Sequence, residues 1–89
     1  MIVLDDASIL DLVNPSELIP ALRQAFLDPA CTPPRFHGDM PGTDEAKLLI
    51  MPSWSGQSAI GVKVIIANPA NAGRGMPTID GVYVLMDGQ

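Results

Sequence analysis

The stretch Lys47-Leu48-Leu49-Ile50-Met51-Pro52-Ser53-Trp54, followed by Ile60-Gly61-Val62-Lys63-Val64-Ile65-Ile66 and by Gly81-Val82-Tyr83-Val84-Leu85-Met86-Asp87, decides the fold. Three apolar runs rich in β-branched residues are separated by segments of Gly, Pro, Asn and Ser. That pattern predicts strands joined by turns. Alternation along the middle run sets Ile60, Val62, Val64 and Ile66 on one face, and Gly61, Lys63, Ile65 and Ala67 on the other. A lysine at the centre of the most apolar run is the main anomaly of the chain. Two readings stand at this level. Lys63 is a solvated lysine on an open sheet face, or that face is covered and desolvation lowers its pKa toward a range useful for proton transfer.

Outward from this core, Asn68 to Thr78 forms a long loop with Arg74 between Gly73 and Gly75. Glycines allow backbone to approach a ligand, and an arginine can hold a carboxylate or phosphate by paired hydrogen bonds. An exposed arginine in a hairpin loop fits equally well. No Gly-x-Gly-x-x-Gly or phosphate-loop pattern occurs. Toward the N-terminus, Arg35 to Met40 is a strand candidate after the extended Cys31-Thr32-Pro33-Pro34, and Pro41 to Glu45 is a polar turn. Arg35 is either aimed by the rigid prolines or simply at the surface.

Asn14-Pro15-Ser16-Glu17 reads as a helix start, with Asn14 the cap, Pro15 at the first position and Glu17 placed for a capping box. Ile19, Leu22 and Phe26 recur at helical spacing and predict a packed face. Pro20 predicts a kink or a later start near Ile19, and Asp28-Pro29 ends the helix. Asp5 or Asp6 caps a shorter helix over Ala7 to Val13, and Ile2 to Leu4 is a short strand candidate. The predicted fold class is α+β: short N-terminal helices followed by a mainly antiparallel β-sheet.

Eighty-nine residues with 47% hydrophobic content suit one small domain. A net charge of -5 speaks against nucleic acid as a partner. No apolar run reaches membrane-spanning length, and Met1 to Asp6 lacks the features of a signal peptide, so a cytoplasmic protein off the membrane is expected. One cysteine and one histidine allow neither an internal disulfide nor an evident zinc site.

The order and spacing of Leu49-Ile50-Met51-Pro52-Ser53-Trp54, Gly61-Val62-Lys63-Val64, Asn68-Pro69-x-Asn71-Ala72-x-Arg74-Gly75-Met76-Pro77-Thr78 and Gly81-Val82-Tyr83-Val84-Leu85-Met86-Asp87-Gly88 resemble the ornithine cyclodeaminase / mu-crystallin family. The resemblance is strong over residues 35–89 and loose before them. It implies an NAD(P)-dependent enzyme that exchanges hydride between the nicotinamide and the α-carbon of an amino or cyclic imino acid. Such an enzyme has a sheet-based substrate-binding and dimerisation domain followed by a Rossmann domain. Carried over residue by residue, Arg35 grips the substrate carboxylate and Lys63 contacts substrate and handles protons or polarises the imine. Met51 lines the substrate pocket, and Thr78 lies near the cofactor. His37, two residues after Arg35, leans the reading toward reduction of a cyclic imino acid such as pyrroline-2-carboxylate over ornithine cyclodeamination.

Beyond Asp87-Gly88-Gln89, which reads as a hairpin turn, the family pattern continues with elements not found in these residues. They are a returning strand, a helix with a further arginine, the dinucleotide motif and a catalytic aspartate. Residues 1–89 are therefore expected to be an incomplete N-terminal substrate-binding and dimerisation domain without a Rossmann domain, inactive alone and homodimeric in the complete enzyme, with NAD or NADP as cofactor. The alternative is a non-catalytic product that retains only oligomerisation or ligand binding.

Overall fold

In the computed structural model, which describes residues 1–42, 45–56 and 58–88, two helices precede a four-stranded antiparallel meander. Helix α1 spans Asp6–Leu12 and helix α2 Pro15–Leu27. Strands β1 (Phe36–Asp39), β2 (Lys47–Ser55), β3 (Ala59–Ala67) and β4 (Ile79–Asp87) are hydrogen-bonded in chain order. A 3₁₀ helix over Pro69–Arg74 lies between β3 and β4. The α+β class expected from the sequence is the observed one.

The helix starts follow from side-chain acceptors that satisfy exposed backbone donors. The Ser8 amide donates to Asp5 Oδ1 at 2.9 Å. The Ser16 amide and hydroxyl donate to Asn14 Oδ1 at 3.1 and 2.8 Å. The Asn14 cap thus works through Ser16, and no reciprocal Glu17 bond forms among the described residues. Helix α2 begins at Pro15 rather than near Ile19 and runs through Pro20 as one element. A proline removes one backbone bond, and the other turns carry the helix past it. Ile2 to Leu4 is not a strand. The sheet's described strands are complete without it, and a short apolar run with no neighbouring edge has nothing to pair with.

Helix α2 does not pack as its periodicity predicted. Ile19 and Leu22 are about half exposed and Phe26 is 89% exposed. The element contacts that dominate the molecule run strand to strand. Ala46 is the one fully buried hydrophobic residue among those described. The radius of gyration, 15.9 Å, exceeds the roughly 12 Å of a compact chain of this length. Both faces of the sheet are therefore open to some degree.

Antiparallel register fixes the two faces. Leu48↔Ile66, Ile50↔Val64 and Pro52↔Val62 pair across β2 and β3, and Val62↔Val84 and Val64↔Val82 continue the row into β4. This is the aliphatic face. Leu49, Met51, Gly61, Lys63, Ile65, Gly81 and Tyr83 occupy the other. At the β2 edge, Cys31 bridges Trp54 through backbone bonds of 2.8 and 3.0 Å, so the expected linker is a second, isolated pairing along β2. Pairing stops between this bridge and Phe36 because Pro33, Pro34 and Pro52 have no amide to donate. Four residues between Cys31 and Phe36 oppose three between Ile50 and Trp54, so a bulge also interrupts the register. The turn predicted over Pro41 to Glu45 is closed by Met40 N donating to Ala46 O at 3.1 Å; Thr43 and Asp44 lie outside the described residues. Of the hairpin turn expected at Asp87 to Gln89, β4 extends through Asp87 and Gly88 N donates to Ser58 O at 3.5 Å. Gln89 lies outside the described residues.

Two glycines permit close approach of β3 and β4. A Cβ on Gly81 would overlap the Val64 carbonyl oxygen and lie 3.1 Å from Ile65 Cα. A Cβ on Gly61 would instead overlap the Tyr83 phenol. The first obstacle is backbone and the second is the tip of a movable side chain. Gly81→Ala is expected to destabilise the chain by about 1–3 kcal/mol, the range for forced overpacking, and Gly61→Ala by clearly less. Urea-unfolding midpoints of the two variants check this, and equal losses would contradict the distinction.

Candidate functional site

Lys63 is the middle residue of the nine-residue β3. Its cross-strand partners are Met51, the middle residue of β2, and Tyr83, the middle residue of β4. Direct partners share a face, so Met51, Lys63 and Tyr83 form one row across the sheet. Arg35 immediately precedes β1, whose first pair is Phe36↔Ile50. Arg35 lies one residue beyond that pair, in the segment between Cys31 and Phe36 where the pairing is interrupted. With strands about 4.8 Å apart, the end of the β1 ladder next to Arg35 and Lys63 lie on either side of β2, about 10 Å apart at the backbone.

Of the four residues carried over from the sequence, the structure pairs Met51 with Lys63 and sets Arg35 just outside the β1 ladder, on the far side of β2 from Lys63. It does not bring Thr78 to them. Thr78 sits at the base of the β3–β4 loop, where its carbonyl accepts from Asn68 N at 2.7 Å. It lies five residues from Tyr83, about 17 Å along an extended strand. His37 pairs with Leu49, one row beyond Met51 on the same face, and is exposed.

Lys63 is exposed, so the covered face that would desolvate it is not provided by the described residues. It differs sharply from the other sheet lysine. Lys47 is paired directly across from Asp39 and forms an ion pair with it. Among the described residues, Lys63 has no ion-pair or hydrogen-bond partner. A shallow depression beside it is lined by Lys63, Ile65, Gly81 and Tyr83, with Asp80 at its rim.

The loop that carried a possible ligand-binding reading has a clear structural account. Asn68 Oδ1 accepts from Ala70 N at 3.2 Å and Asn68 Nδ2 donates to Asn71 Oδ1 at 3.2 Å. Asn71 Nδ2 donates to Pro77 O at 3.0 Å. The two asparagines therefore build the loop from within. Arg74 is exposed in the last turn of the 3₁₀ helix, where a cation complements the free carbonyls.

Tyr83, the third member of the row, was not singled out from the sequence. Its ring leans diagonally across β3 and puts the phenol oxygen over Gly61. The available signal was a glycine two residues before Lys63 on the same face, with one aromatic in the following strand. Among the described residues no group of three His, Cys, Asp or Glu could hold a metal ion. No described helix is long and apolar enough to cross a membrane.

No family model matches this sequence. An uncharacterised protein of Schizosaccharomyces pombe (strain 972 / ATCC 24843) is 37% identical over 75 residues, which is 79% of this chain and 23% of that protein. Among solved structures, the Thermococcus litoralis Δ1-pyrroline-2-carboxylate reductase in complex with NADH and L-proline is similar over 98% of this chain and 28% of its own, with a TM-score of 0.82 and 28% identity. An archaeal alanine dehydrogenase dimer with bound NAD matches 92% of this chain and 26% of its own, with a TM-score of 0.73 and 23% identity. The chain spans about a quarter of the length of each of these proteins. The fold is therefore one found within NAD-dependent enzymes of amino and imino acids.

Two carboxylates are shifted. The Ser8 backbone amide and hydroxyl hold Asp5 below the ordinary aspartate value, and the Lys47 ammonium, by hydrogen bond and charge, does the same for Asp39. A carboxylate whose pKa is lower in the folded state stabilises that state above its unfolded value, about 3.9, and loses the contribution as pH falls through the lower folded value. Amide-exchange protection of β1 should therefore weaken on acidification below about pH 4. In Asp39→Asn the Asp39 share of this pH dependence should vanish. An unchanged acid profile in that variant would show that the ion pair does not hold the strand.

Proposed function

We propose that this chain is the substrate-binding part of an NAD(P)-dependent oxidoreductase of the ornithine cyclodeaminase / mu-crystallin type, acting on a cyclic imino acid such as pyrroline-2-carboxylate. The observation that carries the reading is an unpaired Lys63 ammonium at the centre of an open sheet face, directly across from Met51 and two strands from the start of β1, which Arg35 precedes. The likeness to a pyrroline-2-carboxylate reductase over 98% of the chain supports it.

In this reading the guanidinium of Arg35 holds the substrate carboxylate by two parallel hydrogen bonds. Lys63 stands two strands further on, where it donates a proton to the imine nitrogen or polarises the C=N bond. Met51 lies between them as an apolar floor for the ring carbons, and its flexible thioether adapts to the ring's shape. Fixing the acid at two points aligns its α-carbon, which is the chief contribution a rigid sheet makes.

The described residues do not fit a dinucleotide by themselves. Every strand pair is antiparallel, and no strand–glycine turn–helix unit offers a seat for the pyrophosphate. The nicotinamide, when bound by a further part of the enzyme, supplies the hydride. Thr78 is the residue of this chain assigned to its vicinity. The open apolar sheet supports a complete enzyme in which additional chain covers it. The reading includes a cytoplasmic homodimer, with 1–89 as the incomplete substrate-binding and dimerisation domain.

In the complete gene product, Lys63→Ala is expected to lower the rate of NAD(P)H oxidation with pyrroline-2-carboxylate by about 10²–10⁴-fold, with NAD(P)H binding retained. Near-normal turnover in this variant would overturn the role given to Lys63. Arg35→Ala should instead raise KM for the acid by about 10–100-fold, the loss of a charge-assisted contact. A fall in kcat alone, at constant KM, would remove Arg35 from carboxylate binding.

A further inference from the structure

The row across the sheet has a member on the far side of Lys63 from Arg35, and no role has been given to it. Tyr83 pairs with Lys63 and is 64% exposed. Its ring does not stand straight up from the sheet. It leans toward Gly61, whose missing side chain makes room for the phenol oxygen above β3. Gly61 and Lys63 share a face and are about 7 Å apart along the strand. The phenol oxygen therefore lies over the strand that carries the ammonium, and Tyr83 and Lys63 both line one depression.

The hydroxyl is also uncommitted. The nearest other hydroxyl on this face, that of Ser53 opposite Gly61, donates to the Cys31 carbonyl and contacts Thr32 Oγ1, so it is spent on the β2 edge. Among the described residues Tyr83 has no hydrogen-bond partner. A phenylalanine would cover the glycine equally well, as aromatic rings do in sheets. The oxygen is the part of this side chain that packing does not explain.

Resting on the proposed function, we infer that Tyr83 is a specificity residue, whose hydroxyl contacts the end of the substrate away from its carboxylate. With the carboxylate at Arg35 and the nitrogen at Lys63, the ring carbons opposite the carboxylate point along the row toward Tyr83 and Gly61. The substrate class this site favours is then a cyclic amino or imino acid with a hydrogen-bonding group at that distal position. A hydroxyl placed for such a group favours a ligand that carries it over one that lacks it, by about the worth of one hydrogen bond.

The test compares trans-4-hydroxy-L-proline with L-proline as probes, by calorimetry on the complete gene product with NADH-depleted, NAD-saturated protein. The readout is the ratio of the two dissociation constants. The wild type should favour the hydroxylated probe by about fivefold, the worth of one neutral hydrogen bond. Tyr83→Phe, which keeps the ring, should bring the ratio to about one. Gly61→Ala, which keeps the hydroxyl but displaces it, should do the same. If the wild type binds the probes but the ratio is unmoved in both variants, the Tyr83 assignment falls and the proposed function stands. If neither probe binds the wild type, the proposed function falls and takes this assignment with it.

Discussion

The register of β2 against β3 is the constraint on which everything else depends. It sets Met51 opposite Lys63 and Ile50 opposite Val64. Because side chains alternate, a slip of one residue would move Lys63 onto the aliphatic face and bring Val62 and Val64 onto the other. Turn features hold this register and that of β3 against β4. At one end of β3, the Ser58 amide and hydroxyl both return to Ser55 O, at 3.2 and 2.9 Å. At the other, Asn68 N bonds Thr78 O while Asn68 and Asn71 tie the loop internally. Between these ends, Gly81 allows β4 to approach the backbone at Val64 and Ile65 as no larger residue could. The turn chemistry and the glycine thus place a lysine and a tyrosine side by side without any contact between their own polar atoms.

The same sheet is incomplete as a hydrophobic structure. Its ladders satisfy the backbone, but strand pairing alone contributes little net stability without apolar burial. Ala46 is fully buried, whereas Val82, Leu85, Ile79 and much of α2 remain exposed. The apolar area left in water is a free-energy gain not yet realised, and it exceeds what isolated surface residues account for. The exposure of Lys63 has the same origin. A cover over its face would complete apolar burial and desolvate the ammonium in one step.

Much of this was legible in the sequence, and what was not has identifiable physical causes. The strands, their faces and the Asn14 cap follow from local chemistry: β-branched alternation, an acceptor side chain and a proline at the first helical position. The long Asn68–Thr78 loop was legible as a loop but not in its internal bonding, since asparagines serve ligands and turns equally well. Helix α2 misled because amphipathic spacing reports that a face requires a partner, not that the partner is present. Ile2 to Leu4 misled for a related reason: strand propensity is realised only where an edge is available. Lys63 could be assigned to a face and Arg35 to none, and the pairing of Lys63 with Met51 depends on the hairpin register. Tyr83 was hidden for the same reason. Its meaning lies in the glycine on the neighbouring strand, and neither residue is unusual until the two are paired.

Charge completes the account. The chain carries ten acidic and five basic residues, so a lone cation on its surface would ordinarily find a carboxylate. Lys47 does so because Asp39 is its direct cross-strand partner. Lys63 is flanked across the sheet by Met51 and Tyr83, and along its strand by Gly61 and Ile65, none of which can neutralise it. The sheet geometry denies it a local counter-ion while a net acidic surface surrounds the site. In the proposed reading, a carboxylate meets a net acidic surface and is held only where unpaired cations lie on one face, so that selectivity for an acid comes from register rather than from overall charge. Holding Lys63 on a strand paired on both sides fixes its position more firmly than a mobile loop would, and in that reading a small imino acid depends on that position because it has few atoms with which to compensate.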